Sequence, residues 1–110
     1  MVEETIAQIE ARIQKATSLN DERKKELLDL LSTLKTEVSH LSKTDAEDAQ
    51  SITGFTEVSI HEAIRKKKNP QLLNLSLEGL STSVKRFENS HPKLVRIVNS
   101  ICNTLSNLGI

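Results

Sequence analysis

The sequence predicts an all-α protein, a bundle of four to five amphipathic helices that fits within one domain of 110 residues. Apolar residues recur at alternating steps of three and four, which is the spacing of a helix buried along one face. Residues that commonly cap helices precede several of these stretches. In the four clearest stretches, apolar and polar residues do not alternate as they would in a half-buried strand.

Two helices are predicted at the amino end, at about residues 2–17 and 20–42. Asn20 is a suitable N-cap for the second helix, whose first turn then carries two acids, where negative charge favours a helix start. The narrow apolar stripes fit either a coiled coil or a helical hairpin in a monomeric bundle. These stripes consist of Val2, Ile6, Ile9, Ile13 and Ala16 in the first helix and Leu27, Leu31, Leu34, Val38 and Leu41 in the second.

A third helix is predicted at about residues 45–67, with a weaker pattern. Thr44 and Glu47 have the spacing of a capping box. Gly54 and the β-branched residues before it disfavour a helix interior, and Thr56, Val58 and Ile60 also fit a short strand. The polar stretch 43–51 is an alternative linker. In that case residues 1–42 would form a helical hairpin and 52–110 a separate three-helix unit.

Two further helices are predicted at about residues 70–88 and 91–108. Asn69 and Pro70 are typical of an N-cap followed by proline at the first helical position. Ser90 is a suitable cap for the last helix, and Gly109 is a suitable end. The last helix is apolar on more than one stripe. A helix of this kind is central in a bundle or buries a second face against another chain.

Composition narrows the classes of function. Lys and Arg number 15, as do Asp and Glu, so the net charge is near zero and gives no bulk attraction to nucleic acid or acidic membranes. The lone Cys102, the acidic amino end and the lack of a membrane-spanning apolar run indicate a cytoplasmic protein. The basic run Arg65, Lys66, Lys67 and Lys68 is a weak footprint for nucleic acid, and a solvated helix end explains it better.

Two His/Glu pairs are the candidate chemical groups. They are His61 with Glu62, and Glu88 with His91, and together they could line a ligand or catalytic site between the third, fourth and fifth helices. Glu37 with His40 repeats the Glu-x-x-His spacing of Glu88 with His91, which resembles the ligand spacing of di-iron bundles. No further Glu on an apolar face completes such a set. The sequence therefore predicts no metal, no cofactor and no catalytic residue.

Several short motifs in the C-terminal half resemble a small bacterial helical family, the one described as domain of unknown function 4404. They include Asn69-Pro70-Gln71-Leu72-Leu73, Phe87-Glu88-Asn89-Ser90-His91-Pro92 and the ending Asn107-Leu108-Gly109-Ile110. The resemblance covers roughly residues 52–110 in definite motifs, and the amino-terminal hairpin only in general character. It implies a bacterial, soluble, helical protein with no assigned activity, so it provides no site residues.

The leading hypothesis is a non-enzymatic helical interaction or assembly module, because the chain has apolar helix faces and no recognisable chemistry. Self-association is the simplest version, either through the hairpins of the first two helices or through the last helix, and another protein is the other possible partner. The candidate interface lies on the last helix and consists of Ile97, Ile101, Leu105, Leu108 and Ile110. The alternative is a small binding protein or enzyme that uses the His/Glu site.

Overall fold

The computed structural model describes residues 2–108, and five α-helices account for most of that range. The predicted all-α fold is confirmed. A single turn of 3₁₀-helix, Lys85–Phe87, follows the fourth helix directly. The helices are α1 (Val2–Lys15), α2 (Asp21–Leu41), α3 (Ala46–Ile64), α4 (Pro70–Val84) and α5 (Pro92–Leu108).

Two of the predicted helix caps are confirmed. The Asn20 side chain accepts a hydrogen bond from the backbone N–H of Arg23 at 2.8 Å, so it caps α2. The Asn69 side chain accepts from the backbone N–H of Leu72 at 3.2 Å, and Pro70 is the first residue of α4. Both bonds satisfy an N–H group that the helix itself leaves without a partner.

The other two predicted caps are wrong. The Thr44 hydroxyl donates to the Asp45 carboxylate at 2.8 Å, and α3 follows Asp45 without a side-chain cap. Ser90 pairs its hydroxyl with the His91 ring nitrogen Nδ1 at 3.0 Å, and α5 begins after His91. In each case the hydroxyl engages a nearer side chain in place of the helix N–H groups. Gly109 lies outside the described residues.

The third segment is one helix from Ala46 to Ile64, so neither the short strand nor a linker over 43–51 is present. Its apolar pattern is weak because its buried side carries small polar residues. Thr53 and Thr56 are buried, and each hydroxyl donates to the carbonyl four residues earlier at 2.8 Å. These bonds let hydroxyl groups enter the core without a large desolvation penalty.

The helices pack as a ring in the order α1, α2, α5, α4, α3, and the ring closes between α3 and α1. α3 also contacts α2 and α5, so it touches every other α-helix and is the central element. Of the two alternatives for the last helix, a central position and a second face buried against another chain, the first is therefore not what the structure shows, since α3 is the central helix. A single core cluster draws buried residues from all five helices, and no helix within 2–108 is long and apolar enough to cross a membrane.

Candidate functional site

The most unusual surface of the protein lies on α3 and α4. Among residues 2–108, the large apolar side chains that remain exposed are Phe55, Val58, Leu72 and Leu75, and we call them together the α3–α4 face. Leu75 is 64% exposed. Phe55 and Val58 lie one turn apart on α3, as Leu72 and Leu75 do on α4, and the two helices pack against each other. Phe55 and Leu75 line one groove, and Val58 and Leu72 each lie one turn nearer the connection between α3 and α4, so we treat the four side chains as one apolar surface.

A shallow groove lies at one end of this face. Its volume is about 660 Å³, and Phe55, Leu75 and Gly79 contribute to its lining. The Phe55 ring lies directly over Gly79, because a Cβ atom built there would be within 3.0 Å of three ring atoms. Glycine at this position of α4 thus lets an aromatic side chain of α3 come close to the helix backbone. Gly79 does not lie on the main apolar stripe of α4, and its contact with the Phe55 ring explains why a glycine occupies this position.

Charged groups flank the face at both ends of α3. At its start, the Arg86 guanidinium lies 3.3 Å from the Asp45 carboxylate and 3.5 Å from that of Asp48. At its end, Arg65 lies 2.9 Å from Glu62, which is buried. The apolar face therefore has acidic and basic groups at one end and a largely basic segment at the other.

The candidate interface residues of α5 within 2–108 pack mostly into the protein's own core. Ile101 and Leu105 are buried in the core cluster, while Ile97 and Leu108 are half-buried and pack against it. Ile110 lies outside the described residues. Among the candidates within residues 2–108, Ile97 and Leu108 are the ones that retain surface another chain could contact, and an α5 interface stays a prediction.

The pair His61 and Glu62 lies near the end of α3. Arg12 of α1 donates from Nη2 to the His61 Nδ1 atom at 2.7 Å. An arginine can only donate, so Nδ1 accepts and the proton of the neutral ring is on Nε2. That nitrogen lies 3.9 Å from a Glu62 carboxylate oxygen. His61 thus links α1 to α3, which the sequence does not reveal.

The pair Glu88 and His91 lies at the other end of α3. His91 packs edge-on against Phe87, with ring centroids 5.5 Å apart. The neighbouring Arg86 reaches the two aspartates at the start of α3, a helix of 19 residues and roughly 28 Å. The structure does not bring the four His and Glu residues into one pocket, so their predicted common site is not formed.

Other groups singled out in the sequence have structural partners. Cys102 is half-buried, its sulfur lies 3.9 Å from the Leu77 carbonyl oxygen, and burial raises the pKa of its thiol. The Lys68 ammonium donates to the Ala63 carbonyl at the end of α3, and partial burial lowers its pKa. No cluster of His, Cys, Asp and Glu within the described residues has the arrangement to hold a metal ion.

The α3–α4 face was missed because its members do not lie on the main apolar stripes. The one available signal was the presence of large apolar residues off those stripes, at Phe55 and Val58 beside Ile52 and Ile60, and at Leu72 and Leu75 beside Leu73. Helical periodicity alone cannot say whether a second stripe faces another helix or solvent.

One comparison with known proteins assigns a family. The sequence profile described as Domain of unknown function (DUF4404) matches residues 27–110, which is most of the chain. The chain belongs to this family. The DUF4404 match begins at Leu27, the first buried residue of α2, and extends over α3, α4 and α5. It thus includes the whole α3–α4 face and leaves out α1. No curated protein and no solved structure matches the chain significantly.

Proposed function

We propose that this DUF4404 protein is a non-enzymatic assembly module that pairs with a second copy of itself through the α3–α4 face. The observation that carries this proposal is the clustering of four exposed apolar side chains, Phe55, Val58, Leu72 and Leu75, on two adjoining helices. Such patches on a protein surface commonly mark sites of association. We propose further that the protein acts in the bacterial cytoplasm, which the family resemblance and the lone cysteine favour.

Charge along α3 favours a second copy as the partner. In a dimer, two copies of α3 can cross in antiparallel fashion with the two-fold axis between Phe55 and Val58. Each Phe55 then lies opposite Val58 of the second copy, and Asp48 lies opposite Arg65. Glu47, which is exposed, comes near the basic segment that follows α3 in the second copy. The α3 face of one copy therefore complements the same face of the second copy, with apolar groups against apolar groups and acidic groups against basic ones.

The expected dimer is weak. Each of the four side chains keeps about half of its surface exposed, so burying the remainder contributes on the order of 1 kcal/mol. Eight such side chains in a symmetric dimer contribute about 8 kcal/mol. Association itself costs about 4–15 kcal/mol, so the two are comparable. At the low end of that cost about 4 kcal/mol remains in favour of the dimer, which corresponds to a Kd of about 1 mM. We therefore expect a dimer that forms at millimolar concentration and dissociates on dilution.

Light scattering with refractive-index detection over a wide concentration range tests the proposal. The wild-type mass should rise toward that of a dimer as concentration increases. Leu75→Glu should stay monomeric, because it places a charge within the apolar contact, and the high exposure of Leu75 leaves the fold intact. Asn99→Glu, which adds the same charge at an exposed position of α5, is the matched control and should behave as wild type.

Charge reversal tests the antiparallel arrangement. Glu47→Lys should weaken the dimer, because it would place a positive charge against the basic segment that follows α3 in the second copy. A wild-type protein that is monomeric at millimolar concentration would refute self-association. A dimer that survives Leu75→Glu but is lost with Ile97→Glu would move the interface to α5.

A further inference from the structure

A second surface feature lies apart from the α3–α4 face. It is a cavity of about 360 Å³ at the end of the bundle where α1 and α3 both end. The side chains that matter for its chemistry come from α1, the turn after it, and the end of α3. They are Arg12, Lys15, Ser18, His61, Arg65 and Lys66.

The cavity has an excess of positive charge. Four of its lining residues are cations, and the neighbouring carboxylate of Glu62 offsets one of them by pairing with Arg65 at 2.9 Å. The carboxyl ends of α1 and α3 contribute roughly half a negative charge each. A net charge of about +2 remains, which is enough to attract an anion to this shallow, open cavity.

Neutralising the two helix ends does not explain all of these cations. Three of the free carbonyl groups there already have donors, because Ser18 donates to Ile64 at 2.8 Å, Lys24 to Gln14 at 3.0 Å and Lys68 to Ala63. Within residues 2–108, no protein group forms a hydrogen bond or ion pair with the side-chain ammonium group of Lys15 or of Lys66. These two ammonium groups are available to a ligand.

Arg12 is held in place across the cavity wall. Its guanidinium donates one N–H to His61 Nδ1 at 2.7 Å, which fixes the side chain between α1 and α3. A guanidinium has five N–H donors in a planar fork, so the others remain for a second acceptor. This geometry suits the oxygens of a phosphoryl group, which arginine can bind through two parallel hydrogen bonds.

We infer that this cavity binds the phosphoryl group of a small ligand, with Arg12, Lys15 and Lys66 as its charged contacts. A net charge of about +2 matches a phosphate dianion better than a single carboxylate. The volume lies near the lower limit of small-molecule sites, so a small phosphorylated compound fits better than a polymer. The inference rests on different residues from the dimer contact at Leu75 and does not require that dimer.

Calorimetric titration of the full chain with inorganic phosphate and with pyrophosphate, at low ionic strength, tests the inference. Both should bind, with pyrophosphate the tighter because it carries more charge. Lys15→Gln should weaken pyrophosphate binding by about tenfold or more, as expected for loss of a charge-assisted hydrogen bond. Lys43→Gln removes the same charge from an exposed position at the other end of the bundle and is the matched control.

Three outcomes would overturn the inference. One is the absence of binding to wild-type protein at millimolar pyrophosphate while the protein remains folded by circular dichroism. Another is equal weakening by Lys15→Gln and Lys43→Gln, which would indicate only a diffuse attraction to the whole surface. The third is tight binding of a single-stranded oligonucleotide that pyrophosphate cannot displace, which would indicate a polyanion surface in place of a small-ligand site.

Discussion

At the scale of single residues, Ser59 is the residue whose burial most clearly destabilises the folded state. It lies on the buried side of α3, and its hydroxyl has no hydrogen-bond partner among the described residues. The two buried threonines of the same helix differ, since Thr53 and Thr56 each donate to a carbonyl one turn earlier. A buried polar group without a partner destabilises the folded state by about 1–3 kcal/mol.

Ser59→Ala should raise the free energy of unfolding by about 1 kcal/mol, because it removes a desolvated hydroxyl and introduces a better helix former. Urea denaturation of both proteins measures the change. Ser76→Ala is the matched control, since Ser76 is also buried in a helix but donates to the Leu73 carbonyl at 2.8 Å. It should gain less. A loss of stability in Ser59→Ala would show that the hydroxyl has a partner in solution.

Residue-level features could be predicted where they depend on near neighbours in sequence. The Asn20 and Asn69 caps were predictable because each bonds an N–H three residues ahead. The bond between Arg12 and His61 was not, since the two residues are 49 positions apart. The phosphate-binding inference depends on that bond and on the convergence of two helix ends. For that reason, the part of the proposed phosphate site that the sequence revealed was the basic run that begins at Arg65.

At the scale of the elements, α3 shows how a weak sequence pattern can belong to the most central helix. α3 touches all four other α-helices, so it is buried on several sides and has no single apolar stripe. Small side chains such as Ala49, Thr53 and Ser59 occupy its buried side and let its neighbours approach. α5 has the stronger stripe because it is buried mainly on one side. The strength of the apolar stripes therefore predicted where the helices lie in the sequence, but not which positions they occupy in the bundle.

The two helical glycines should respond differently to alanine. Gly54 in α3 has open space where a Cβ would lie, so Gly54→Ala should stabilise the protein by about 1 kcal/mol through helix propensity. At Gly79 a Cβ would meet the Phe55 ring, which would have to leave the surface of α4. Gly79→Ala should therefore gain much less or nothing.

Thermal denaturation of the two alanine variants beside wild type gives the comparison. The expected rise for Gly54→Ala is several degrees, since about 1 kcal/mol shifts the midpoint of a domain of this size by roughly 4–8 °C. Equal rises in both variants would show that the Phe55 ring moves off α4 without cost. The structural reading of the Phe55–Gly79 contact, and with it the groove beside Leu75, would then be wrong.

At the scale of the whole molecule, the five helices share one core. The Cα radius of gyration is 12.9 Å, which matches the value of about 13 Å expected for a single folded unit of this length. α2 contacts α5 and α3, and its buried residues, from Leu27 to Leu41, lie in the same cluster as those of α5. The all-α class and helix order were predictable from local periodicity. This shared core was not, because it depends on which helix faces meet.

The possible division into a hairpin over 1–42 and a separate three-helix unit can now be tested directly. A fragment of residues 43–110 should fail to fold alone, because removing α1 and α2 exposes core residues of α3 and α5 such as Ile52, Leu94 and Val98. Circular dichroism should show less helix per residue than in the full chain and no cooperative thermal transition. Adding the 1–42 fragment should restore both, since the two pieces rebuild one core. If the 43–110 fragment instead unfolds cooperatively near the midpoint of the full chain, the three C-terminal helices are an independent domain and the hairpin is an accessory to it.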